Sequence, residues 1–246
     1  MADFNISFNN ILDDCQLFSK TSNIYIPKIN FYNYIIPFMI ETLIKYNELF
    51  MQNNSYGDES CLDIFSYTNR ESSLILTAPH STRSFCNKKE KIADLYTGAI
   101  VKYLGEQNNV STIIRTKFTP YKSLISDWIA QNNIQQHYFL DIHGFNKDID
   151  YDICLGIGEF EEKNYPYLHE IIQIAEKYGL KTITNHPNYS GLYGLTGRYQ
   201  KLFNKPNVIQ VEMKKELRDF FTYPDKFKNI TMPFLTEVVS LYKTFK

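Results

Sequence analysis

The sequence carries almost no net charge: 26 Lys and Arg residues against 27 Asp and Glu leave a formal value of -1. A near-neutral chain has no global electrostatic reason to bind nucleic acid or an acidic membrane surface, so neither is expected as a partner. Cysteine is scarce. Cys15, Cys61, Cys86 and Cys154 include no CxxC pair, which argues against a structural zinc knuckle. The first residues, MADFNISFNNILDDC, have neither a basic start nor a clean apolar core, so no signal peptide is expected. The most apolar early stretch, Phe31 to Ile44, contains Asn33 and Glu41 and is too short to span a bilayer. Pro- or Ser-rich linkers and internal repeats are lacking too. The expectation is a cytoplasmic protein with reduced thiols and no membrane partner.

What is there suits a globular chain. Hydrophobic residues make up 43% and charged residues 22%, so 246 residues can bury one substantial core. The aromatic share, 15%, accompanies abundant Asn, Lys and Ile and is read as compositional bias.

The apolar pattern alternates between strands and helices. Ile24 to Ile26 reads as a short strand, Ile36 to Phe50 as a helix and Met51 to Ser60 as a loop. The run SSLILTAPH, 72–80, reads as a buried strand that stops at Pro79. Lys88 to Gln107 has helical spacing, Val110 to Arg115 reads as a strand, and Tyr121 to Asn133 as a helix. HYFLDIHGF, 137–145, and Tyr151 to Gly156 read as strands. A helix over Tyr167 to Tyr178 closes at Gly179. Leu180 to Thr184 is a short strand, Asn188 to Gly197 a Gly- and Tyr-rich loop, NVIQVEM (207–213) a strand and Thr231 to Phe245 a terminal helix. This order predicts an α/β fold: a single domain whose mixed, mostly parallel sheet is covered by helices on both faces. Residues 1–72 read as an N-terminal extension packed on a core of residues 73–246.

Three polar clusters sit where apolar strands end: APHS around His80, DIHGF around Asp141 and His143, and QVEM around Glu212. Open α/β sheets bind ligands at the carboxyl ends of their strands, so His80, His143 and Glu212 are expected to converge. Neutral imidazoles with a carboxylate suit one Zn2+ per chain, and other divalent metals would also fit. Such a metal brings the pKa of bound water to about 7. Glu212, as a carboxylate outside the ligand set, is placed to move the water proton. Asp141 is expected to face away from the site in a structural role. His137 and His169 read as exposed, and His186 as a loop residue near the site.

The order PHS, DIHGF, GLTGRYQ, NVIQVEM resembles the N-formylglutamate amidohydrolases over residues 74 to 220. The resemblance implies a zinc carboxypeptidase-like fold, with residues 73–246 as an amidohydrolase-like catalytic domain. It implies His80 and His143 as metal ligands and Glu212 as general base and acid. It implies a third, acidic ligand after the first histidine: Asp94 in IADLYTGAI, with Glu90 one turn earlier as the competitor. Arg198 in TGRYQ matches a family arginine and would grip a substrate carboxylate in a bidentate pair. Two departures stand out. Arg83 takes the place of the glutamate that zinc carboxypeptidases set three residues after the first histidine. The stretch TKFTPYKSLISDW also lacks the family's Asn-Arg pair, a carboxylate clamp that Arg83, Arg115 or Lys122 would have to replace.

The sequence therefore points to a metal-dependent amidohydrolase cleaving an N-acyl amino acid, with a small acidic substrate or short peptide as its partner. A metallopeptidase or deacylase acting on a modified peptide is the first alternative. A binding module that keeps the fold without catalysis is the second.

Overall fold

The computed structural model describes residues 29–86 and 88–243, with side chains from residue 38 onward. The strand expected at Ile24 to Ile26 lies outside the described residues. The chain divides into two units, Met1–Met39 and Ile40–Lys246, and every described strand belongs to the second.

Helix α1 spans Ile29–Ser55, but Gln52, Asn53 and Asn54 leave helical geometry, so the polar stretch after Met51 behaves as a turn. Strand β1 (Phe65–Thr68) has no counterpart in the sequence pattern, because four residues of mixed polarity carry little period-two signal. Next come β2 (Leu74–Ala78), β3 (Ser84–Cys86), β4 (Lys89–Lys91), α2 (Thr97–Asn108), β5 (Ser111–Arg115), α3 (Ile125–Gln131), β6 (Tyr138–Phe145), β7 (Ile153–Gly156), α4 (Leu168–Lys177), β8 (Thr182–Thr184), α5 (Leu195–Phe203) and β9 (Val208–Lys214). The chain closes with the short helices α6 (Lys215–Arg218) and α7 (Pro224–Lys226), a π turn, and α8 (Met232–Lys243).

Seven strands form one sheet in the order β1-β5-β2-β6-β9-β7-β8. The central strands β5, β2, β6 and β9 run parallel, while β1 and β7 are antiparallel to their neighbours β5 and β9. Helices α2, α4 and α8 pack together against one face, and α3 and α5 pack together on the other. The α/β fold expected from the sequence is the one observed.

Strand periodicity decides where the site lies. On the α3 and α5 face, Ile75, Phe139 and Val208 join Ile125, Ile129, Leu195 and Tyr199 in one buried cluster. Successive same-face residues are two apart. Moving toward the carboxyl ends, Ile75 is followed by Thr77, Phe139 by Asp141 and His143, and Val208 by Gln210 and Glu212. One face of the sheet thus passes from apolar core to a buried polar cluster.

Besides β1, two elements differ from the sequence-based expectation. The helix expected over Lys88 to Gln107 starts only at Thr97, because Lys89–Lys91 instead pairs antiparallel with Ser84–Cys86. The loop expected over Asn188 to Gly197 ends at Gly194, where α5 begins. Gly197 lies inside that helix, and its lack of a side chain lets the helix pack against the preceding turn: a Cβ there would stand 2.1 Å from the Leu192 carbonyl oxygen.

Candidate active site

His143 and Glu212 are register partners on the adjacent parallel strands β6 and β9. Two residues earlier on β6, Asp141 lies between Thr77 and Gln210. Both layers point to the same side. The expectation that Asp141 faces away from His143 is therefore corrected: two residues apart on a strand share a face. Asp141 Oδ2 is 2.9 Å from His143 Nε2, and Thr77 Oγ1 donates to the other Asp141 oxygen. This chain fixes the imidazole.

Asp94 reaches the same histidine from outside the sheet. It sits in the turn between β4 and α2, where its backbone N–H donates to the His80 carbonyl at 2.8 Å. Its Oδ2 stands 3.0 Å from His143 Nδ1 and 3.5 Å from Lys91 Nζ. His80 follows β2. Its ring lies 5.1 Å from that of His143, and its Nδ1 is held by Ser84 Oγ at 2.9 Å. Gln210 Nε2 donates to Glu212 Oε1 at 2.6 Å, which orients that carboxylate.

Burial governs the protonation of this cluster. It pushes His80 well below the ordinary imidazole range, with Lys91 adding to the effect, so the ring is neutral. Burial also opposes charge on His143, but the charge and hydrogen bond of Asp141, with Asp94 behind them, outweigh it and raise the group. Burial likewise opposes charge on Asp94, yet Lys91 and the His143 hydrogen bond hold it well below the usual carboxylate range. Glu212 is raised by burial and by Asp94, against the pull of His143. A buried carboxyl with a raised pKa beside other perturbed groups is a mark of functional sites.

The cations divide into three kinds. Arg115 is buried, and its guanidinium is spent on the Pro79 and Ser123 carbonyls at 2.8 Å each, over the Phe65 ring. Burial brings it down to about 10. It clamps the loops around His80 and has no free fork for a substrate. Arg83 turns away to Glu90, the competitor for the third ligand, and Glu90 also accepts from Tyr56. These two expected site residues are thus absorbed by each other, and neither is brought to His143. Arg198 is different. Its only hydrogen bond among the described residues is from Nε to the Tyr193 carbonyl at 3.4 Å. It lines one cleft with His80, His143, Arg115, Lys122 and Tyr193.

Sequence reasoning missed Lys91 and Arg218. Arg218 is 2% exposed. Its guanidinium donates to the carbonyls of Leu95 (2.7 Å), Phe145 (3.4 Å) and Met213 (3.4 Å), and to Asn146 Oδ1 (2.5 Å). Leu95, Phe145 and Met213 follow Asp94, His143 and Glu212 by one or two positions. One buried arginine therefore ties together the three segments that carry the site. Gly144 leaves room for it, since a Cβ there would lie 2.1 Å from Arg218 Nε. No local pattern marks either cation. Thr77 and Gln210 could have been found from the period of two.

As positioned, no three His, Cys, Asp or Glu side chains among the described residues could together hold a metal ion. The donor chemistry nevertheless fits a divalent cation. A neutral imidazole, an ionised buried carboxylate and a histidine backed by a second carboxylate are the parts such sites use. No helix among the described residues is long and apolar enough to cross a membrane.

The sequence matches no protein-family model and no curated protein. Solved structures do match. A bacteriophage poly-gamma-glutamate hydrolase aligns with a TM-score of 0.51 at 12% identity, over 76% of this chain and 94% of its own. N-formylglutamate amidohydrolase from Ralstonia eutropha aligns at 0.47 and 12% identity, over 72% and 98%. YndL in a zinc-free form aligns at 0.45 and 13% identity, over 73% and 93%. The chain shares the zinc carboxypeptidase-like fold expected from its motifs.

Proposed function

We propose that this chain is a metal-dependent amidohydrolase acting on a small substrate that carries a carboxylate. The observation that carries the reading is the convergence of His80, Asp94, His143 and Glu212 at one end of the sheet, beside a cleft with an unpaired arginine. The fold shared with a poly-gamma-glutamate hydrolase supports it. His80, Asp94 and His143 are the residues that would hold the metal. When bound, a divalent cation polarises an amide carbonyl and acidifies water. Glu212 accepts the proton of the attacking water on its carboxylate and returns it to the leaving nitrogen. Gln210 fixes Glu212 for that transfer, and Asp141 with Thr77 fixes His143. Arg198 pairs with the substrate carboxylate, and Lys122 adds charge at the rim.

Elemental analysis combined with a panel of N-acyl amino acids and short peptides tests this. The expected result is stoichiometric metal and amide hydrolysis, with hydrolysis lost but metal kept in Glu212→Gln. The panel also separates an acyl amino acid hydrolase from a deacylase or peptidase. Protein with neither metal nor hydrolysis would refute the proposal, and metal without hydrolysis would favour a binding module.

A further inference from the structure

Two nitrogen donors, one from an imidazole and one from an ammonium, converge on one oxygen of Asp94. His143 Nδ1 approaches Oδ2 to 3.0 Å, and Lys91 Nζ approaches the same atom to 3.5 Å. The histidine belongs to the sheet. The lysine reaches in from the surface, its side chain 39% exposed against 8% for Asp94. Asp94 is the only carboxylate paired with Lys91 among the described residues. Lys91 ends the β3–β4 hairpin directly across from Ser84, and Ser84 Oγ holds His80 Nδ1. One small hairpin thus orients one expected metal ligand and sets a positive charge against another.

We propose that Lys91 is a tethered competitor for the metal: its ammonium occupies the Asp94 oxygen that a divalent cation would take, and so sets how tightly the chain binds metal. The inference rests on the metal site proposed above. A dication and an ammonium cannot share one carboxylate oxygen without strong repulsion at a few ångströms in a poorly screened pocket. Metal binding must therefore break the Lys91–Asp94 contact. The long, partly exposed lysine stem gives the ammonium a way out to water. The hairpin is then released from Asp94 when metal enters, while Ser84 keeps its hold on His80.

Zinc affinity decides the matter, measured on the full chain by competition with a chromophoric chelator after stripping the protein of metal. Lys91→Met and Lys91→Gln should both bind zinc at least tenfold more tightly than the parent, and Lys91→Arg should bind like the parent. Two neutral variants guard against one that folds poorly, and a melting curve on each identifies it. Equal or weaker affinity in the neutral variants would overturn this inference and leave the metal site standing. Zinc binding by none of the four proteins would overturn the metal site itself, and the competitor with it.

Discussion

Replacing Arg218 with Met should remove the clip that joins the three site segments while leaving much of the volume filled. Arg218 is 2% exposed and makes two short hydrogen bonds, to Leu95 O at 2.7 Å and Asn146 Oδ1 at 2.5 Å, and two longer ones at 3.4 Å. A buried acceptor left without its donor costs about 1–3 kcal/mol. Asp94 and Glu212 lie within electrostatic reach of the guanidinium, but no ion pair joins it to them among the described residues, so the hydrogen bonds carry the cost. With two short bonds lost, the expected loss is about 2–6 kcal/mol, a large fraction of the stability of a marginal domain. Urea unfolding reads it out. Trp128 is the sole tryptophan and packs against the core cluster, so its fluorescence reports the transition. Lys in place of Arg keeps the charge but not the fork, and should recover only part of the loss. A loss below about 1 kcal/mol in Arg218→Met would refute the assignment of Arg218 as the clip.

Three further outcomes are expected. Asp141→Asn weakens the hold on His143 Nε2 and should lower metal affinity by about 10–100-fold, measured by chelator competition, with the melting curve showing whether the fold persists. Arg198→Ala should raise KM for carboxylate-bearing substrates roughly 10–100-fold, as expected for loss of a charge-assisted hydrogen bond of about 1.5–3 kcal/mol, with kcat little changed; an unchanged KM would remove Arg198 from substrate binding. Gly197→Ala forces a Cβ to within 2.1 Å of the Leu192 carbonyl. It should cost about 1–3 kcal/mol by overpacking, seen as a lower melting temperature together with reduced activity, since Arg198 is the next residue.

How much was legible in the chain varies residue by residue. The strands around Leu74 to Ala78, Tyr138 to Phe145 and Val208 to Lys214 declare themselves, because continuous apolar runs leave a buried parallel strand little other reading. Their polar ends point to His80, His143 and Glu212. The segment Lys88 to Tyr96 misleads, because a helix-like spacing cannot show that Lys89 to Lys91 will pair with Ser84 to Cys86. Asp94 accordingly lies in a turn rather than on a helix, with Tyr96 at a φ of 74° closing it. Asp141 is misplaced for a different reason: the period of two that puts it beside His143 is present in the sequence and supports the opposite of the expected orientation.

By itself the sequence determined the α/β layering and the strand-end positions of His80, His143 and Glu212, since periodicity and burial are local consequences of side-chain type. Only the tertiary structure decided which charges meet. Arg83 is claimed by Glu90, Arg115 by carbonyls, Arg218 by three separate segments, and Lys91 by Asp94. Arg198 alone of the arginines considered keeps most of its donors for a ligand. A hydrogen bond such as that from Arg218 to Leu95, 123 positions apart, depends on where the backbone brings the two residues, and no local pattern records that.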